Sequence, residues 1–242
     1  EIWLVSPAED SFLWGFDRLR APLEGDGPDR LRANFLQAAQ AHNLMTLPSP
    51  PGRGPEVLIS YLMMRPADHA EWQAVPKEAR FPPDDSYEGR YWILSREVAA
   101  DSPGVKPQEG ENLVVFKAEN RTRRDYYVYA LHVTPSARIA PIVPDAITRT
   151  TTEVPAGGTR VYNEGALLLE HPAEYVRVFV TLTSFDVTLV TQPELALLRQ
   201  KTRSAADGPL AALLIDGMTL TRGPISAGSP ASWSTSSATF GQ

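Results

Sequence analysis

The sequence predicts an α+β chain: a small α+β unit, an antiparallel β-sandwich of Ig-like or jelly-roll-like kind, and a helical tail ending in a strand. Two observations carry this. Between residues 112 and 185, runs rich in β-branched and aromatic residues alternate with turn formers. Ahead of them, residues 28–42 show the apolar spacing of a helix, flanked by strand-like runs. The expected units are residues 1–102 (α+β), 103–111 (linker), 112–192 (sandwich) and 193–242 (tail).

The run Ile2-Trp-Leu-Val5 suits a buried strand closed by Ser6-Pro7. A helix follows Gly25-Asp-Gly27, with Pro28 in its first turn and Leu31, Phe35, Ala38, Ala39 and His42 near one face; its expected stop is Asn43. Residues 44–47 and 57–63 read as strands separated by a Pro- and Gly-rich loop, and residues 90–95 as another after a polar stretch with a loop at 81–85. Residues 102–110 carry two prolines and two glycines and no apolar period, which marks the linker.

Within the sandwich, Val176, Val178, Val180 and Leu182 alternate with Arg177, Phe179, Thr181 and Thr183, the pattern of a strand with one face in a core. Residues 121–125 should form a hairpin or wide turn. Residues 194–200 and 209–214 are short helical candidates. Residues 226–237 have a disorder-like composition, while Trp233 and Thr239-Phe240 favour a terminal strand packed on the sandwich.

The chain of 242 residues is long enough for sizeable cores. Its 23 Lys and Arg against 29 Asp and Glu give a net charge of -6, spread along the sequence, which argues against a nucleic-acid or anionic-membrane binder. The absence of cysteine excludes disulfides, thiolate metal sites and a cysteine nucleophile from this chain. No apolar run reaches the roughly 18–20 residues of a membrane span. A start at Glu1, without methionine or a basic signal region, leads to the expectation of a fragment. A cytoplasmic setting is favoured, with a periplasmic or secreted one open.

No catalytic, metal or cofactor residue is assigned. His171 and Glu174 have a helical ligand spacing, but Pro172 argues against a helix there. His132 alternates with strand residues and reads as a sheet-surface side chain. Asp84-Asp85 and Glu9-Asp10 are adjacent acids whose side chains point apart. No Gly-x-Ser-x-Gly elbow, phosphate-cradling loop or His-Glu-x-x-His is present.

The candidates for recognition are Arg121, Arg123 and Arg124, which could dock an acidic partner, against the alternative of a solvated turn tip. Tyr127 and Tyr129 share one strand face and could line a binding surface, although aromatic residues on a strand also serve as core. Asn120-Arg-Thr122 matches a glycosylation sequon, a short pattern common by chance.

The order of Ala118-Glu-Asn120, Asp125-Tyr-Tyr-Val-Tyr-Ala-Leu131, Ile139-Ala-Pro-Ile-Val-Pro144, Pro155-Ala-Gly-Gly158, Val178-Phe-Val-Thr181 and Phe185-Asp-Val187 resembles the β-domain that follows the peptidase domain in bacterial caspase-like (metacaspase- or orthocaspase-type) cysteine peptidases. The segments Pro209-Leu-Ala-Ala-Leu-Leu214, Thr221-Arg-Gly223 and Trp233-Ser-Thr235 look like the closing part of the same proteins. The resemblance covers about the second half of the chain.

Because those peptidases need a cysteine nucleophile, no catalytic residue carries over. What the resemblance implies is a non-catalytic region that binds a partner or substrate, or regulates the peptidase. The expected partner is a protein or the parent peptidase domain, with no nucleic acid, membrane span or cofactor. The rival readings are a free-standing secreted or periplasmic binding protein and, behind it, an enzyme using acids or histidines of the first unit.

Overall fold

The computed structural model describes residues 2–3, 20–21, 27–48, 57–100, 104–134, 136–144, 151–170, 173–193 and 233–241. In chain order the strands and helices are β1 (Ile2–Trp3), β2 (Arg20–Ala21), α1 (Gly27–Thr46), β3 (Val57–Ala67), α2 (His69–Ala74), β4 (Arg80–Phe81), β5 (Tyr91–Ala99), β6 (Leu113–Asn120), β7 (Tyr126–Val133), β8 (Ile139–Val143), β9 (Glu153–Val154), β10 (Thr159–Leu168), β11 (Ala173–Thr181) and β12 (Trp233–Gly241). The chain is β-rich, with antiparallel pairing in both large sheets.

The first sheet runs β10-β6-β3-β5-β4; the second runs β12-β11-β7-β8, with β9 beside the start of β7 on the edge that β8 occupies further along. A shared core lies between them. Val57, Ile59, Tyr61, Val114, Phe116 and Tyr162 come from one side, and Val128, Ala130, Val176, Val178, Val180 and Phe240 from the other. Apolar side chains at every second position of each strand make this contact possible.

The first sheet ignores the expected boundary between units. β3 pairs with β6 along eight positions, from Val57 opposite Asn120 to Met64 opposite Leu113. The stretch expected as a linker is tied in as well: Val105 is 3 % exposed and its amide donates to the Thr239 carbonyl. Glu111, also buried, accepts from the Arg96 guanidinium, the Ser95 hydroxyl and the Gln108 amide. Burial alone would raise the Glu111 carboxyl, but these donors outweigh it and hold it below the usual carboxylate range.

α1 runs through Thr46, so the strand expected at 44–47 is largely the last turn of the helix. Ala41 and Leu44 lie three residues apart and are buried against Tyr129, Leu131, Tyr175 and Phe179 on the outer face of the second sheet. Arg177 and Tyr175 then satisfy the carbonyls at the end of the helix: the Arg177 guanidinium donates to Met45 O and Leu47 O, and the Tyr175 hydroxyl to Met45 O. β11 is therefore buried on both faces, not on one, because α1 and the 185–190 turn cover the side away from the shared core.

α2 was not expected within the polar stretch 65–89. Asp68 caps it by accepting from the Glu71 amide, and Trp72 is its buried residue. The expected tail strand is β12, which pairs with β11 over nine positions and buries Phe240. The helical candidates at 194–200 and 209–214, the acids Glu9 and Asp10, and His171 lie outside the described residues.

Candidate functional site

The two ends of β7 carry the side chains of interest. At its start, residues 121–125 join β6 of the first sheet to β7 of the second. The turn is wide and crosses between sheets; it is not a hairpin. Asn120, at 1 % exposure, organises it. Its amide nitrogen reaches Arg124 O, Val154 O and Pro155 O at 2.8–3.0 Å, and its side-chain oxygen accepts from Thr122 N.

The 154–158 turn braces this crossover. Asp125 accepts from Ala156 N, and Gly157 N donates to Thr122 O with Gly157 at φ +67°, a conformation that favours glycine. The Thr122 hydroxyl closes the tip through Arg124 N and O.

This geometry sorts the sequence candidates. Arg121, Arg123 and Arg124 are all exposed. Arg121 pairs with Glu119 at 2.6 Å, and that contact holds the Glu119 carboxyl below its ordinary range. Among the described residues, Arg123 and Arg124 have no acidic partner. Tyr127 is half-buried. Tyr129, at 2 % exposure, sits in the core against Phe185, whose amide donates to the phenol oxygen; burial pushes that phenol up. The structure thus places the three arginines on one exposed turn and buries Tyr129 on the outer face of the second sheet, under Phe185 and Val187. The sequon asparagine spends its amide on the turn and is closed to a glycan.

At the far end of β7 lies a pair that the linear pattern hid. His132 does not sit on an open sheet surface. It shares the inward face with Val128 and Ala130, and Glu174 shares the inward face of β11 with Val176, Val178 and Val180. His132 is opposite Val176 in the ladder, which puts Glu174 on the diagonal. Nε2 of His132 lies 2.5 Å from Oε2 of Glu174; the side chains are 15 % and 1 % exposed. The available signal was strand alternation: a histidine and an acid each continue a row of core valines or alanines.

His132 faces a cavity of about 460 Å³ between β8 and β10, the edge strands of the two sheets on that side. Both strands leave regular pairing here. β8 shifts register against β7 between Ala130 and Leu131, and β10 shifts against β6 between Val161 and Ala166. Gly165 comes so close to Ile142 that a Cβ there would overlap the Ile142 carbonyl oxygen. Arg138, Thr134 and Glu170 supply the remaining polar walls, and Pro141, Leu167 and Leu168 the apolar ones.

A second cavity, about 290 Å³ and mostly apolar, lies on the outer face of the first sheet among Leu62, Met64, Phe81 and Val115, with Lys77 and Arg80 at its rim. Asp84 and Asp85 are exposed nearby, Asp84 paired with Lys77 at 2.5 Å. Among the described residues, no group of three or more metal-ligating side chains converges, and no helix is long and apolar enough to cross a membrane. No family model matches the chain, and no curated protein and no solved structure is significantly similar to it.

Proposed function

We propose that this chain is a non-catalytic, partner-binding and regulatory β-module of the kind that follows the peptidase domain in bacterial caspase-like proteases, its two sheets forming an Ig-like or jelly-roll-like sandwich. The observation that carries the binding role is the arginine turn. A buried asparagine and the 154–158 brace hold a stiff crossover, from which Arg123 and Arg124 project into solvent. Two guanidinium groups carried on an ordered turn favour an acidic segment of a protein partner, since little backbone freedom is lost on docking. The ordered motifs from Asn120 to Val187 support the family context, and the missing cysteine places any caspase-like nucleophile outside this chain.

The test is charge reversal at the tip, Arg123→Glu with Arg124→Glu, in the full-length parent protein. Altered peptidase activation or substrate choice, with unchanged thermal unfolding, is the expected outcome. Unchanged activation, substrate choice and partner binding would refute it. Truncation at residue 112 is a poor substitute, because it removes the partner strand of β3.

A further inference from the structure

We propose that the cavity between β8 and β10 is a binding site for a carboxylate attached to a short apolar body. Its floor is His132, its charged wall Arg138, and its apolar wall Pro141, Leu167 and Leu168.

The buried Glu174 is the starting point. A carboxylate at 1 % exposure is expensive to remove from water and needs a close partner. His132 supplies one through Nε2, and in doing so its ring is fixed in orientation. Nδ1 accepts or donates no hydrogen bond among the described residues, and the ring borders the cavity. A carboxylate-backed imidazole with its second nitrogen free is an oriented polar group aimed at a ligand.

The charges decide which ligand. With Nε2 turned to Glu174, the ring presents Nδ1, which accepts a hydrogen bond in the neutral imidazole and donates one in the imidazolium. A carboxylate in the cavity complements the imidazolium form of this ring, and it also lies beside the Arg138 guanidinium, which has no ion pair among the described residues. The complex is then a chain of alternating sign: Glu174 negative, His132 positive, ligand negative, Arg138 positive.

The other described titratable group facing this space is Glu170, exposed at the rim where water screens it. The faces of β8 and β10 that line the cavity add no charge, from Ala140 to Ile142 and from Gly165 to Leu168. A volume of about 460 Å³ fits a small molecule or the last residues of a peptide.

The experiment follows the His132 ring by NMR in the whole chain while hexanoate, hexanol, and a Leu-Val-Val tripeptide with free or amidated C-terminus are added. A saturable shift with hexanoate and none with hexanol supports a free organic acid. A shift with the free but not the amidated tripeptide supports a peptide terminus. In either case Arg138→Gln, a surface change that leaves folding intact, should weaken binding about tenfold. No saturable shift from either carboxylate, or equal affinity in the Arg138→Gln variant, overturns the site.

Discussion

The two ends of β7 are separated by roughly 20–25 Å of strand, and they handle charge in opposite ways. At the start, three arginines stand in water on a turn whose rigidity comes from a neutral amide. At the finish, a histidine and a glutamate are folded into the interior, where each depends on the other. Exposed charge is cheap to place and contributes little to stability. Buried charge is costly, so its geometry is tightly constrained. The first arrangement can change partner without disturbing the fold; the second cannot be altered without the fold registering it.

That contrast can be broken most directly at His132. His132→Ala removes the imidazole that contacts the buried Glu174 carboxylate and should cost about 3 kcal/mol in urea unfolding. The double change His132→Leu with Glu174→Leu should return to within about 1 kcal/mol of the starting protein, because neither charge is then stranded. A double variant as unstable as the single one would mean that the pair is a net stabiliser.

Asn120→Ala comes next, at about 2 kcal/mol, since the carbonyls of Val154 and Pro155 lose a buried donor. Hydrogen exchange should show the loss in the amides of Thr122 and Gly157 before it appears at the cavity end. A uniform change across both ends would erase the distinction between them.

The Glu111 site gives an intermediate case, because Glu111 is 1 % exposed while its partner Arg96 is 32 % exposed. Its carboxyl is held below the usual range, so its folded-state pKa lies below the unfolded one. The stabilisation is complete above the unfolded value, near 4.3, and is lost as pH falls through the folded value. Arg96→Gln should cost about 1–2 kcal/mol at neutral pH, discounted for Arg96's exposure. The difference from the parent should shrink on acidification, as followed by unfolding midpoints between pH 7 and the acid range.

The smallest effect belongs to the tip. Arg123→Ser with Arg124→Ser should shift stability by less than about 0.5 kcal/mol, while abolishing binding to an acidic partner. A larger loss of stability would show that these arginines have structural work as well.

How much of this could be read in advance follows from the range of each interaction. β3, β5, β6, β7 and β11 announce themselves through local runs of β-branched and aromatic residues. The arginine turn does too, because its charges are neighbours in sequence. Which sheet a strand joins is another matter. An alternating pattern fixes a strand's faces and not its neighbours, so the crossover from β6 to β7 and the pairing of β3 with β6 had no local mark. α2 was hidden because its six residues bury one side chain, Trp72, too few to show a period. Residues 44–47 are apolar enough for either state, and α1 claimed most of them because Leu44 extends a face already set by Ala41. His132 and Glu174 lie 42 residues apart; only the register of β7 on β11 reveals that they meet.

The pairing of β3 with β6 has a consequence for how the chain can be divided. Expressed as separate pieces split near residue 102, each piece would keep one half of a ladder from Val57–Asn120 to Met64–Leu113, and each would expose the apolar face that the other normally covers. Such halves should behave as a complementation pair, weakly ordered apart and restored on mixing. The protein therefore offers a natural position for a split reporter, where fusing a signal to each half would read out reassembly of the first sheet.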